Sequence, residues 1–178
     1  MRPWRPGDRS PDRESMLRVD QAGEYGATRI YAGQLAVLRR NCPEAKLIAR
    51  MAAQEERHLK RFNALVADRR VRPTALQPLW NIAGFALGAA TALMSEKAAL
   101  ACTDAVETEI DRHYASQLVA LGEDDPELSA DIAEFQAEEL EHRDTAREAG
   151  AAEAVGYPLL TAAIRAGCRV AIELSKRI

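Results

Sequence analysis

Charged side chains interrupt the apolar stripes of four predicted helices, and this feature constrains the fold more than any other. The stripe of the second predicted helix consists of Ile48, Met51, Glu55, His58, Phe62 and Leu65. That of the fifth consists of Leu128, Ile132, Phe135, Glu139, His142, Ala146 and Ala149. The first and fourth stripes are Leu17, Glu24, Tyr31 and Leu38, and Leu100, Thr103, Glu107, Ile110, Tyr114 and Leu121. Because such stripes face the core of a helix bundle, we expect their acids and histidines to be buried.

The charged positions of these stripes form an internal repeat. Glu24 precedes Glu55 by 31 residues, and Glu107 precedes Glu139 by 32. Each half is a predicted helix hairpin that holds one Glu followed by a Glu-x-x-His motif. The halves span residues 20–68 and 103–149, with an apolar crossover at 70–100. They can therefore pair about a pseudo-two-fold axis.

Four buried carboxylates need a strong common partner, because an ionised carboxylate in a core is costly unless it is paired or binds a metal. Both side chains of a Glu-x-x-His motif project from one helix face. Four carboxylates balance two divalent cations, and oxygen ligands with imidazole favour iron or manganese. The same pattern occurs in ferritin-like di-iron and di-manganese proteins. The sequence thus predicts a two-metal site formed by Glu24, Glu55, His58, Glu107, Glu139 and His142.

Other polar residues near these positions have weaker signals. A single Glu-x-x-His is common on solvated helices, so the prediction depends on the duplication. Glu56, Glu138 and Glu141 lie off the stripes, and we expect them to be solvated.

Two further pairs of residues lie close to the predicted ligands. Tyr114 faces the core one heptad after Glu107, whereas His113 lies at the edge of that face, where a histidine is more often structural than catalytic. Asp20 and Asp104 precede a predicted ligand by about one turn. Either can orient a ligating imidazole or lie on the helix surface.

The chain is predicted to be all-α, a ferritin-like four-helix bundle with two additional membrane-facing helices. Breaks at Pro43, Pro73, Gly122 and Gly156 place helices at residues 14–41, 44–68, 79–96, 97–121, 126–149 and 158–176. We expect an irregular lead-in over residues 1–16, overlapping the start of the first helix, and a single domain over residues 17–178.

Composition excludes several classes of protein. The net charge of −3 gives no reason to expect a nucleic-acid partner. Cys42, Cys102 and Cys168 are far apart and form no Cys-x-x-Cys motif, which excludes thiolate zinc and rubredoxin-type iron sites. We expect all three to be small buried hydrophobic residues.

Several motifs resemble the demethoxyubiquinone hydroxylase family of ubiquinone biosynthesis, over nearly all of residues 17–178. They are DQAGEYGA with RIYAGQ at residues 20–34, EERHLKRF at 55–62, RPT through PLWN to GFALGA at 72–89, AVE at 105–107, His113-Tyr114, EELEH at 138–142 and AGCRVAI at 166–172.

This resemblance implies a carboxylate-bridged di-iron monooxygenase that hydroxylates the ring of a demethoxyubiquinol. It implies two iron ions bridged by Glu55 and Glu139. Glu24 and His58 would be terminal ligands of one iron, and Glu107 and His142 of the other. It also implies that His113 and Tyr114 help to couple electrons or protons to the centre. The substrates would be a polyprenyl quinol and dioxygen. No Gly-x-Gly-x-x-Gly motif follows a predicted strand, so the reductant would be NADH or another outside donor, or the quinone itself.

The crossover has 23 consecutive uncharged residues, from Pro73 to Ser95. After Pro78 about 17 residues are left, or roughly 26 Å of helix, which is short for the roughly 30 Å core of a bilayer. We therefore expect an interfacial helix rather than a spanning one. The alternatives are a cover for the core or a dimer contact. Basic residues beside the crossover and on the last helix, opposed by an acidic segment at 123–148, predict a cationic face toward lipid and an acidic face toward water.

These features predict a peripheral protein on the cytoplasmic face of a bacterial inner membrane, with the matrix side of a mitochondrial inner membrane as the alternative. A homo-oligomer or a quinone-synthesis complex is compatible with the sequence. The main rival function is iron storage or peroxide detoxification on the same scaffold. A second is a non-enzymatic scaffold in which the metal only stabilises the fold.

Overall fold

The computed structural model describes residues 12–178, which contain six α-helices, one short 3-10 helix and no strand. The α-helices are α1 (Arg13–Val37), α2 (Pro43–Asp68), α3 (Gln77–Met94), α4 (Glu96–Leu121), α5 (Pro126–Glu148) and α6 (Tyr157–Ser175). The 3-10 helix spans Ala151–Glu153, between α5 and α6. The all-α prediction is confirmed, and most helix boundaries lie within two residues of the predicted ones.

The first helix differs most from its predicted bounds. The Asp12 carboxylate caps it by accepting a hydrogen bond from the Ser15 backbone N–H at 3.0 Å. Residues 13–16 are therefore helical and do not belong to an irregular lead-in. Residues 1–11, the rest of that predicted lead-in, lie outside the described residues. At its other end α1 stops at Val37, four residues early, because Leu38 is extended.

Local chemistry also explains where the other helices begin. Pro43 and Pro126 occupy the first helical position of α2 and α5, where a missing N–H costs nothing. The Asp125 side chain caps α5. Cys42 caps α2, because its sulfur accepts a hydrogen bond from the Ala45 backbone N–H. Cys42 and Cys168 are only half-buried, so the expectation of a fully buried hydrophobic residue holds for Cys102 alone.

Two hairpins, α1 with α2 and α4 with α5, surround the core, while α3 lies along α1 and α6 lies along α4. The backbones of α1 and α3 touch at two glycines. A Cβ atom on Gly88 would lie 1.9 Å from the carbonyl oxygen of Ile30, and one on Gly33 would lie 2.1 Å from that of Phe85. Only glycine fits such an approach. The crossover helix is therefore held directly against the first helix.

The outer faces of α3 and α6 carry exposed apolar side chains. More than half of each of these side chains is accessible: Ile82, Leu93, Met94, Leu159 and Val170. Over residues 12–178, no helix combines the length and the hydropathy that crossing a bilayer requires.

The predicted separation of cationic and acidic faces is wrong for five arginines. Two arginines of α2 and the residue that follows the helix form ion pairs with α5 or with the residue before it: Arg57 with Glu134 and Glu138, Arg61 with Glu127 and Asp131, and Arg69 with Asp125 and Glu127. Arg165 and Arg169 of α6 both bond one oxygen of the buried Glu109, at 2.8 and 2.9 Å. The first three pairs form because side chains of α2 reach α5 across the bundle, and the last two form because α6 packs along α4. Basic and acidic residues that are distant in sequence therefore meet.

Candidate metal centre

The six predicted ligands meet in the core between α1, α2, α4 and α5. They fall into two groups, in each of which one ligand atom per residue lies within 4.8 Å of all the others. The groups are Glu24, Glu55, His58 and Glu139, and Glu55, Glu107, Glu139 and His142. All six side chains are at most 2% exposed. Glu55 and Glu139 belong to both groups, as two residues shared between adjacent metal positions would.

The hydrogen bonding of this cluster fits a metal. Both carboxylate oxygens of Glu55 are buried without a hydrogen-bond partner, as is one oxygen each of Glu24 and Glu107. Buried polar atoms in folded proteins are almost always satisfied. Oxygen atoms that are buried, convergent and unpaired form the donor set that a hard or borderline divalent cation takes. The residues present therefore fit a pair of such ions.

Burial and the neighbouring negative charges disfavour the ionised form of Glu55 and Glu107. Burial raises the pKa of Glu55 well above its usual range, and the charge of Glu139 raises it further. Burial also raises the pKa of Glu107, again with Glu139 as the next cause. Burial lowers the pKa of His58, but bonds to Glu139 and Glu24 outweigh it and raise the value to about 10. For His142 burial prevails and lowers the pKa.

The two imidazoles are oriented in the same way. The Nδ1 atom of His58 faces the cluster, 3.0 Å from Glu139, and its Nε2–H donates to Glu138 at 2.8 Å. The Nδ1 atom of His142 is 3.1 Å from Glu139, and its Nε2–H donates to the Gln54 side-chain oxygen at 3.0 Å. Each outer partner thus directly precedes the Glu of the opposite Glu-x-x-His motif. Both rings present Nδ1 as the ligand atom.

Two tyrosines bond the cluster in equivalent positions of the two halves. The Tyr31 hydroxyl donates to Glu107 at 2.8 Å, and the Tyr114 hydroxyl donates to Glu24. Each tyrosine lies seven residues after the Glu of its own half and bonds the Glu of the other half. Burial raises the pKa of both hydroxyls well above the usual value, so they stay protonated donors.

The remaining candidate residues lie outside the cluster. His113 Nε2 is 3.4 Å from a carboxylate oxygen of Asp20, and that oxygen also accepts from Gln117 at 2.8 Å. Asp104 accepts from Arg147 Nε at 2.7 Å and from Tyr157. Neither aspartate bonds a cluster imidazole, so that expectation is wrong. Both are at most 3% exposed, so a position on the helix surface is wrong as well.

An apolar cavity of about 560 Å³ lies beside the cluster, between α1, α3, α4 and α6. A narrow passage lined by Ala27, Ile30, Val106, Thr103, Tyr31 and Glu107 continues from it. Ala27, Ile30 and Val106 line both spaces, so the passage lies between the cavity and the cluster residue Glu107, and it is closed in this structure. As it stands, the passage is too narrow to admit a water molecule.

The chain was compared with known proteins. The family model described as "Ubiquinone biosynthesis protein COQ7" matches residues 11–175. The chain belongs to this family.

Relatives in the COQ7 family are hydroxylases by name. The 3-demethoxyubiquinol 3-hydroxylase of Rhodospirillum rubrum is 55% identical over 175 residues, which cover 97% of this chain and 82% of the relative. The mitochondrial NADPH-dependent 3-demethoxyubiquinone 3-hydroxylase of Homo sapiens is 52% identical over 169 residues, covering 93% and 77%. The mitochondrial 5-demethoxyubiquinone hydroxylase of Saccharomyces cerevisiae is 44% identical over 181 residues, covering 93% and 78%. The predicted family is confirmed.

Sequence reasoning missed several contributors to the site of this COQ7-family chain. The prediction that Glu138 is solvated is wrong, because its carboxylate accepts from His58; Glu56 and Glu141 are exposed as expected. Gln54 had no signal within its own helix. Tyr31 did have one, since its spacing from Glu24 equals that of Tyr114 from Glu107.

Proposed function

We propose that the chain is a di-iron monooxygenase that hydroxylates the ring of a demethoxyubiquinol with dioxygen and outside reducing equivalents. One observation supports this most: two overlapping groups of buried carboxylates and imidazoles, in which four carboxylate oxygens accept no hydrogen bond within residues 12–178, lie beside an apolar cavity in a chain of this family. Relatives named as hydroxylases favour this function over iron storage or peroxide removal.

The metal ligands follow from the two groups. Glu24 and His58 would bind one iron, Glu107 and His142 the other, and Glu55 and Glu139 would bridge them. When bound, the iron pair supplies the activation of dioxygen and the oxidation of the ring. The protein holds both histidines by their outer nitrogens and both terminal glutamates by a tyrosine hydroxyl. The ligands are thereby fixed before the metal binds, which avoids reorganisation during the reaction.

The apolar cavity would bind the isoprenoid part of the substrate. Its lining is almost wholly aliphatic or aromatic, and it includes Trp80, Leu87, Ile164 and Ile172. Such a surface binds an apolar tail by excluding water and offers few polar contacts to other ligands. The passage toward Glu107 would then admit the ring alone, once Ile30 and Val106 move apart.

Besides one oxygen of Glu107, one polar group in the passage has no hydrogen-bond partner within residues 12–178. The Thr103 hydroxyl is buried and makes no hydrogen bond. A helical threonine usually bonds the carbonyl four residues earlier. Here the side-chain amide of Gln34 donates to that carbonyl, of Ala99, at 2.9 Å. Thr103 is thus available to bond an oxygen substituent of the quinol ring.

A polyprenyl quinol resides in a bilayer, so we propose that the outer faces of α3 and α6 contact a membrane surface. Their exposed apolar side chains flank the same helices that line the cavity. The bacterial inner membrane, on its cytoplasmic face, is the proposed site; several relatives are named as mitochondrial.

The proposal is tested with the iron-loaded chain, demethoxyubiquinone, dioxygen and NADH. We expect one hydroxylated product, formed in proportion to bound iron. Glu55→Ala and His142→Ala should abolish hydroxylation while keeping most of the helical circular dichroism, since each removes one ligand from a helix whose apolar stripe stays intact. Glu141→Ala, an exposed acid on the same helix as His142, should keep wild-type activity. Full activity in either ligand variant would refute the proposal.

A further inference from the structure

We propose that the two metal positions are unequal, and that the Glu24–His58 position binds its ion more tightly than the Glu107–His142 position. This inference rests on the proposed two-metal function and adds a difference within it. It assigns that difference to one pair of residues, Glu138 and Gln54.

The two positions match in ligand set, in the tyrosine hydrogen bonds of their terminal glutamates and in the length of the outer histidine bonds. Each has one histidine, one terminal glutamate and the two shared glutamates. Each terminal glutamate accepts a hydrogen bond from a tyrosine of the opposite half. The outer hydrogen bonds of the histidines have similar lengths, 2.8 Å for His58 and 3.0 Å for His142. The outer hydrogen bonds are nearly equal in length, so we assign the difference in binding to the chemistry of their acceptors. His58 also stacks on the Phe135 ring, at 4.1 Å between ring centroids, and substitutions of the acceptors leave that contact in place.

The acceptors differ in charge. Glu138 offers His58 a carboxylate, whereas Gln54 offers His142 a neutral amide. Hydrogen bonds to an ionised group are about twice as strong as neutral ones. A carboxylate on the outer N–H makes an imidazole a better electron donor, and loss of such a partner typically costs 10–100-fold in metal affinity.

Arg57 lies on the far side of Glu138 and modifies this effect. It bonds both Glu138 and Glu134, and nearly half of its side chain is accessible. Solvent screens its charge, whereas the Glu138 oxygen contacts the fully buried ring directly. Arg57 therefore orients the carboxylate and weakens its influence only in part. Within residues 12–178, no basic side chain hydrogen-bonds Gln54, whose amide oxygen bonds His142.

The weaker position is the one nearer the substrate. Glu107 and its partner Tyr31 line the passage from the apolar cavity, and neither Glu24 nor His58 does. An ion held by a less electron-rich histidine keeps more of its Lewis acidity, and the ion itself leaves its position more readily. The arrangement keeps one metal firmly in place and leaves the exchangeable metal where the ring arrives.

The test is an equilibrium titration of the metal-free full chain with Co²⁺, followed by its visible absorption. Wild-type protein should bind two ions in steps that differ at least tenfold in affinity. Glu138→Gln should weaken the first step until the two lie within about threefold. Gln54→Glu should tighten the second step to a similar extent. Glu134→Gln removes an acid that bonds Arg57 but not His58, and it should retain the wild-type gap.

Anomalous diffraction from crystals with one ion per chain identifies the position that fills first, and we expect it to be that of His58. Two equal steps in the wild type, or a gap that Glu138→Gln leaves unchanged, would overturn the inference while the metal centre stands. Binding of fewer than two ions would overturn the proposed function as well.

Discussion

Gly88→Ala tests whether backbone contact fixes α3 on α1 and so shapes the apolar cavity. The new Cβ atom would start 1.9 Å from the carbonyl oxygen of Ile30 and 2.8 Å from its carbon. Carbon and oxygen atoms in close contact need roughly 3.3 Å. The helices would therefore have to separate by about 1.4 Å. Both clashing atoms belong to the backbone, so no side chain can rotate to relieve the contact.

The cost can be set against the gain in helix propensity. Overpacking of this kind costs about 3 kcal/mol, the upper part of the usual range. Alanine in place of glycine returns about 1 kcal/mol. The net loss of about 2 kcal/mol should lower Tm by about 4–8 °C for a chain of this size.

Gly167→Ala on α6 is the matched control, because a Cβ atom there meets nothing within 4 Å. It should raise Tm by about 2–4 °C through helix propensity alone. Thermal unfolding of the two variants, followed by circular dichroism, gives the comparison. A Gly88→Ala protein with a Tm at or above that of wild type would refute the reasoning about the α1–α3 contact.

Two further predictions concern single polar groups. Thr103→Val removes the unpaired hydroxyl without changing the side-chain volume much. The kcat/KM for hydroxylation should therefore fall about tenfold at unchanged iron content, and Thr103→Ser should restore it. Equal kcat/KM values in all three proteins would contradict the role of Thr103. The Asp125 carboxylate has a pKa below its usual range, chiefly because Arg69 bonds it. The ion pair therefore stabilises the fold fully above the unfolded pKa of about 3.9, and this stabilisation is lost as the pH falls through the folded pKa. Asp125→Asn keeps the cap but not the pair, and in urea unfolding of the metal-free protein it should cost up to ~1 kcal/mol at pH 7 and progressively less below pH 4. A cost independent of pH would contradict that assignment.

The repeat in the sequence was sufficient to predict which side chains converge. A Glu-x-x-His motif fixes two side chains on one helix face, and its duplication with an upstream Glu fixes the partners. The apolar stripes around Glu55 and Glu139 set the direction in which these residues point. The spacing within each helix is enough to show which face these residues occupy, so no knowledge of tertiary contacts is needed.

What the sequence did not supply depends on how the helices lie against one another. Glu138 and Gln54 sit off the apolar stripes, and their role follows from the register of α5 against α2. From the sequence alone, the arginines of α2 predict an unpaired cationic surface. In the structure Arg57 and Arg61 form ion pairs with acids of α5. Likewise, Glu109 is buried only because α6 covers it with Arg165 and Arg169.

The proposed function requires that the six side chains hold an iron pair and that one oxygen atom of dioxygen enters the quinol ring. Mass spectrometry of the product formed by the iron-loaded chain under ¹⁸O₂, with demethoxyubiquinone and NADH, tests it most directly. We expect one ¹⁸O atom in each hydroxylated product molecule, and no product from the metal-free chain. Product that carries oxygen from water, or product formed equally well without iron, would contradict it.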